Sequence, residues 1–204
     1  MTLSNPLEGL VSPEKALILT VLERTGQPLT GRTIAALTGT VSQSTTSRLL
    51  IELGQHGLVV KVPGGYELNR DHLSYRAIEA LLGSGDELQR RIAKDVNAWN
   101  WPPLSVILFG SAARRQDTLG SDIDLLVVRP TTVSFDDQRW AMNVANLSER
   151  VSRWCGSSCE VLEYSPDELA ELMRNDDPLI ASLIRDGITL AGADLDTLLA
   201  RIPK

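Results

Sequence analysis

Cysteine is almost missing from this chain of 204 residues, with Cys155 and Cys159 the only two. Two thiols cannot build a disulfide framework, and a lone C-x-x-x-C lacks the further ligands of a zinc site. Two reduced, partly buried thiols are expected. Histidine is equally scarce: His56 and His72 have no partner ligands in sequence and read as capping or surface residues. No apolar run approaches the roughly 20 residues of a membrane-spanning helix. Residues 1–9 lack a basic start followed by an apolar stretch, so no secretory signal is expected and a cytoplasmic location is the default. Internal repeats and low-complexity tracts are absent from the sequence. Positive charge is also in short supply, with 20 Lys and Arg against 26 Asp and Glu, a net −6. Residues 1–75 hold 6 of each sign and residues 76–99 hold 4 of each; residues 100–204 hold 10 basic and 16 acidic, so the whole −6 lies there. A compact acidic domain does not draw in polyanions by its overall field, and needs cations to handle a phosphate substrate.

A hydrophobic fraction of 43% with 23% charged residues is enough for a sizeable core in one large domain or two small ones. Three textures follow one another. From Ser12 to Asn69 the pattern is helix, helix, helix, hairpin. Ser12-Pro13-Glu14 reads as an N-cap with proline at the first helical position. Ala16, Leu17, Leu19 and Leu22 supply an apolar face, and Gly26-Gln27-Pro28 ends the helix. A second helix is expected over Thr30–Thr38, and a third from Ser42 or Ser44 to about Gly54. Leu58–Val62 and Tyr66–Leu68 then form a hairpin about Pro63-Gly64-Gly65. From Asp71 to Asn100 the chain reads as one or two linking helices interrupted at Gly83-Ser84-Gly85, with Ala93, Val96 and Trp99 on a packing face. Beyond Trp101-Pro102-Pro103, strands at Leu104–Phe109, Ile123–Val128 and Ser158–Tyr164 alternate with helices at Phe135–Trp154, Pro166–Arg174 and Asp177–Arg185, and Ile188–Ala191 could add a short strand. The expected class is α+β. A domain of three helices and a hairpin (1–70) and a helical linker (71–101) precede a domain (102–204) with a mixed β-sheet flanked by helices.

The chemistry concentrates in two adjacent elements. Asp122 and Asp124 stand two apart at the start of an apolar run, and on a strand such residues project to one face. Carboxylates held side by side repel unless a cation lies between them, and hard oxygen donors suit Mg²⁺. Upstream, Gly110-Ser111 follows the apolar stretch Val106–Phe109. A glycine lets backbone approach a ligand closely, and the N–H groups of such a turn, with the Ser111 hydroxyl, can bind phosphate oxygens. Arg114 and Arg115 add positive charge to the same loop. The bland alternative is a capped turn feeding a buried strand, which leaves Gly110-Ser111 without a role.

Gly110-Ser111, ten intervening residues and Asp122-Ile123-Asp124 at a strand start resemble the motif of the nucleotidyltransferase superfamily of DNA polymerase β, particularly its small bacterial members. Arg114 and Ser121 also match. The resemblance covers roughly residues 104–165 and implies a nucleotidyltransferase fold. It further implies Gly110, Ser111, Arg114 and Ser121 as nucleotide-binding residues, and Asp122 and Asp124 as catalytic, metal-holding residues. Family members usually add a carboxylate on a later strand, for which Glu160 and Glu163 are the candidates. Their odd spacing puts them on opposite faces, so only one can serve. Glu160 precedes the apolar pair Val161-Leu162, as the family residue tends to, and is preferred. The implied reaction is transfer of a nucleoside monophosphate from an NTP to a hydroxyl acceptor with two Mg²⁺ ions. A degenerate member that binds nucleotide without turning it over is the alternative.

The N-terminal pattern resembles winged helix-turn-helix regulators of the MarR and ArsR groups. That resemblance implies a third helix lying in the major groove of double-stranded DNA, with Ser42, Gln43, Ser44, Thr45 and Arg48 near its start and Lys61 on the wing. A homodimer would double this small footprint. The zero net charge of the segment favours a structural or protein-binding role instead. Three functions therefore stand side by side: a nucleotidyltransferase, a transcription regulator whose nucleotidyltransferase-like domain senses nucleotide, and a combination of both, as in toxin–antitoxin or self-modifying systems.

Overall fold

The computed structural model describes residues 2–200, so Met1 and the last four residues of the expected C-terminal domain lie outside it. Two compact units divide the chain: residues 5–84, and residues 2–4 together with 85 onward.

In the first unit, Ser12 caps α1 (Pro13–Thr25), its side chain accepting from the Lys15 amide, and Gly26 closes the helix in the left-handed conformation. Thr30 caps α2 (Gly31–Thr38) and Ser42 caps α3 (Gln43–Gln55) in the same way. Satisfied first-turn amides explain why these polar residues start helices. The hairpin β1 (Val59–Val62) and β2 (Gly65–Leu68) pairs antiparallel, and Leu29 adds a two-bond bridge to Tyr66 at 3.0 and 2.8 Å. Ile18, Leu22, Ile34, Leu50, Leu53 and Val59 fill the core beneath. A Cβ on Gly65 would stand 2.1 Å from the Leu29 carbonyl oxygen, so glycine is the residue that lets the wing close on that bridge.

The expected linker is not a separate piece. Gly83 ends α4 (Tyr75–Leu82), whose Tyr75 belongs to the first core. Leu88, Ile92 and Val96 of α5 (Ser84–Val96) belong to the second. The break falls at Gly83 alone; Ser84 and Gly85 are already helical, and the Ser84 hydroxyl donates back to the Leu81 carbonyl.

The second unit is built on a four-stranded mixed sheet. Its strands are β3 (Ser105–Phe109), β4 (Ile123–Val128), β5 (Cys159–Tyr164) and β6 (Ile188–Gly192), in the order β5-β4-β3-β6. β3 runs antiparallel to β4 and β6, and β4 runs parallel to β5. A short helical turn, α6 (Gly110–Ala113), follows β3, and α7 (Gln138–Cys155) joins β4 to β5. α7 begins later than Phe135 because the Asp137 side chain accepts from the Arg139 and Trp140 amides and fixes the start there. α8 (Pro166–Arg174), opened by a Ser165–Glu168 capping box, is followed by α9 (Pro178–Asp186). A last helix, α10 (Leu195–Ala200), has no counterpart in the pattern read from sequence. Alternation along β4 sorts the two cores. Ile123, Leu125 and Val127 pack with α5 and α7, whereas Leu126 and Val128 pack with α8, α9 and α10. The cysteines are buried, and burial pushes their thiols up to about 11 for Cys155 and about 12 for Cys159, so both stay protonated at neutral pH. No helix among the described residues is long and apolar enough to cross a membrane.

Candidate active site

The end of β3 delivers the chain to Gly110 at φ +72°, beside β4, where Phe109 is the register partner of Asp124. A Cβ on Gly110 would lie 2.0 Å from Asp124 Oδ2, so the glycine backbone rests directly against that carboxylate. On the other side of β4 the parallel register pairs Asp124 with Glu160. In-register neighbours on parallel strands share a face, so Asp124 and Glu160 lie on the same side of the sheet. The Ile123 amide donates to the Ser158 carbonyl at 2.9 Å, carrying the pairing one step beyond the strands, and the Ser158 hydroxyl donates to Asp122 Oδ1.

Burial first, then the charges of Glu160 and Asp122, push the Asp124 carboxyl above its ordinary value, while Arg114 opposes the rise. That is the effect of acids gathered without a counter-charge. Hard oxygen donors and mutual repulsion fit a divalent cation such as Mg²⁺. Among the described residues, no group of three or more His, Cys, Asp or Glu side chains is drawn tightly enough to hold an ion as it stands.

Glu163 lies on the opposite face from Glu160, in register with Val127. Its carboxylate accepts from Arg129 Nε at 2.7 Å, and the Arg129 side chain is only 8% exposed. The two glutamates should therefore respond oppositely to substitution. Glu163→Ala, by leaving a buried guanidinium short of its carboxylate, is expected to cost about 2–3 kcal/mol of stability in denaturant unfolding. Glu160→Ala should leave the unfolding midpoint nearly unchanged, since Glu160 is exposed.

The residues expected to bind phosphate are more constrained than their sequence suggests. Ser111 stands in the first turn of α6 and is half-buried. Arg114 donates from Nη1 to Asp186 Oδ2 at 3.1 Å and from Nε to Gln116 Oε1 at 3.2 Å. The Ser121 hydroxyl accepts from the Thr118 amide at 2.9 Å, so it closes the turn that precedes Asp122. Asp117 is buried in the same loop and accepts from the Leu3 and Ser4 amides at 2.5 and 3.0 Å. Neither Asp117 nor Asp186 stands out in the sequence, because their partners come from distant segments.

Arg115 has φ +56°. Its amide donates to the Ala112 carbonyl, and the Gln116 amide to the Ser111 carbonyl, at 3.1 and 2.9 Å. These two bonds form a Schellman closure of α6 with an arginine at the position that favours glycine. Arg115→Gly is expected to raise stability by roughly 0.5–1 kcal/mol, the left-handed penalty less the entropy glycine adds to the unfolded chain. A lowered melting temperature would show that the Arg115 side chain supports the loop.

In the first unit, Gln43, Ser44 and Arg48 are exposed at the start of α3, and Lys61 is exposed on β1. Ser42 Oγ lies 3.0 Å from Ser44 Oγ and 2.9 Å from Thr45 Oγ1, so these hydroxyls form a capping cluster. Thr46, from the same polar run, turns inward and is fully buried.

Residues 90–164 match the nucleotidyltransferase domain model. The match runs from within α5 through β5 and so takes in Gly110, Asp122, Asp124 and Glu160. Residues 14–63 match the IclR helix-turn-helix domain model, where the sequence alone had suggested the MarR and ArsR groups; the helix-turn-helix is the common part. The chain thus carries a helix-turn-helix domain followed by a nucleotidyltransferase domain of mixed α+β fold. No curated protein matches it in sequence. Among solved structures, it is similar to a toxin–antitoxin with AMP-PNP, at 19% identity over 54% of this chain and 78% of that one, with a TM-score of 0.39. It is also similar to a tri-AMPylated Shewanella oneidensis HEPN toxin in complex with an MNT antitoxin, at 19% identity over 56% and 78%, with a TM-score of 0.36.

Proposed function

We propose that the C-terminal domain transfers a nucleoside monophosphate from a nucleoside triphosphate to a hydroxyl acceptor, with Asp122, Asp124 and Glu160 as its catalytic carboxylates. The observation that carries this reading is the register of β4 and β5, which sets Glu160 beside Asp124 while Gly110 lies against the Asp124 carboxylate. The three acids would hold two Mg²⁺ ions, which supply charge neutralisation for the triphosphate and acidify the acceptor hydroxyl. Backbone N–H groups of the Gly110–Ser111 turn and the Ser111 hydroxyl bind phosphate oxygens, and Arg114 adds a guanidinium to them. Ser158 orients Asp122 through its hydroxyl. Ser121 acts on the site through the turn it closes. The acceptor oxygen attacks the α-phosphorus in line, Glu160 takes the hydroxyl proton on a carboxylate oxygen, and pyrophosphate leaves. Positioning and charge neutralisation supply most of the rate in such chemistry.

The full chain incubated with α-labelled NTPs and Mg²⁺ tests this. Label should pass to an acceptor, or to the chain itself, with wild type and not with Asp122→Ala. Nucleotide bound with no label transferred to any acceptor would favour the sensing function instead.

The helix-turn-helix domain is proposed to bind double-stranded DNA through Gln43, Ser44 and Arg48, with Lys61 on the backbone. Ser42 and Thr45 would lie at the groove through the capped first turn of α3. Two copies of the chain would supply two such helices. Selection of DNA fragments by the purified protein checks this, and the absence of any enriched sequence would count against it.

A further inference from the structure

Arg114, whose charge opposes the rise of the Asp124 carboxyl, is held by a partner from a distant helix. Asp186, at the last position of α9, accepts from Arg114 Nη1 at 3.1 Å, while Gln116 accepts from Arg114 Nε. The other N–H groups of the guanidinium meet no partner among the described residues. Asp186 is itself covered from outside: Arg185 approaches the same Oδ2 atom with Nε at 2.9 Å and Nη2 at 2.8 Å. The Asp186 side chain is only 12% exposed, against 64% for Arg185.

Three consequences follow from this arrangement. An exposed arginine samples many rotamers, and ordering it on a ligand costs entropy. A guanidinium already pinned by two acceptors avoids that cost when an anion arrives. A bare aspartate at this place would repel phosphate, but Arg185 balances its charge.

We propose that Asp186 is a positioning residue for nucleotide binding: held by Arg185, it orients Arg114 toward the phosphates of the incoming triphosphate. The assignment rests on the nucleotidyltransferase reading given above.

Calorimetric titration of the full chain with ATP and Mg²⁺ tests it. Arg114→Ala and Asp186→Ala should each weaken ATP binding about tenfold, the loss of one charge-assisted contact. The double variant should bind no worse than Arg114→Ala alone, because Asp186 acts only through Arg114. Asp186→Glu should recover part of the affinity, and Asp186→Asn serves as an isosteric control should the alanine variant fold poorly. In transfer assays the loss should fall on KM more than on kcat. Unchanged ATP affinity in Asp186→Ala and Asp186→Asn, with wild type binding normally, overturns the assignment and leaves the nucleotidyltransferase reading intact. Tighter binding overturns it as well, since the carboxylate would then be competing with phosphate for Arg114. No ATP binding by wild type removes the broader reading and this assignment together.

Discussion

Asp124→Asn is expected to lower nucleotidyl transfer about a thousandfold or more, yet to make the metal-free protein more stable at neutral pH. The loss of rate follows from the position of the carboxylate, between Gly110 on one side and Glu160 on the other. Preorganised charge at a phosphoryl-transfer site supplies most of the catalysis, and one such group is commonly worth two to three orders of magnitude. The gain in stability follows from the raised proton affinity of Asp124, caused first by burial and then by Glu160 and Asp122. A carboxyl whose pKa is higher folded than unfolded favours the native state at low pH, and that contribution disappears as pH rises through the folded value. Above it, the ionised Asp124 is a burden on the folded state. The asparagine variant should therefore melt higher than wild type near pH 7, in chelator. The difference should shrink as pH falls toward and below the ordinary aspartate value of 3.8, where the Asp124 carboxyl becomes protonated in the folded and the unfolded chain alike. Added Mg²⁺ should raise the wild-type melting temperature and move the variant less, because an ion stabilises only the state that holds it. A variant that melts lower than wild type at pH 7, or that still transfers label, contradicts this account.

Gly110→Ala is expected to remove activity as completely, for a steric and not an electrostatic reason. The new methyl would overlap Asp124 Oδ2, and the backbone at φ +72° is one that L side chains rarely adopt. The carboxylate end is the part able to move, so it is expected to leave its place beside Gly110 and to distort the acidic site. The backbone strain adds a stability loss of about 1–2 kcal/mol. Combining Gly110→Ala with Asp124→Gly separates the two effects. If the clash is the cause, the double variant is more stable than Gly110→Ala alone and remains inactive, a non-additivity expected of groups in contact. Denaturant unfolding beside label transfer measures both, and simple additivity of the stability losses would refute the steric account.

Much of the fold was legible because its signals are local. Ser12-Pro13, Thr30 and Ser42 mark helix starts since each side chain satisfies amides within its own first turn. The Asp122–Asp124 spacing carries its meaning through strand alternation. Where the reading was off, the deciding contact came from elsewhere or from a turn without a pattern. The linker looked like a unit because its residues are polar and helical. Its halves separate at Gly83 because Tyr75 finds one core while Leu88, Ile92 and Val96 find another. Ser121 reads from the sequence as a ligand-binding hydroxyl, and what the sequence did not carry is that the same oxygen accepts from the Thr118 amide and closes the turn before Asp122.

By itself the sequence determined the two-part α+β plan, the glycine–serine turn and the acidic pair, because each depends on residues only a few positions apart. Only the tertiary structure decided that Glu160 stands beside Asp124 while Glu163 is tied to Arg129, and that Asp186 holds Arg114. The odd spacing of the two glutamates set them on opposite faces, but parallel strand register and ion pairs between distant segments arise from packing of the whole chain, and no local pattern names those partners.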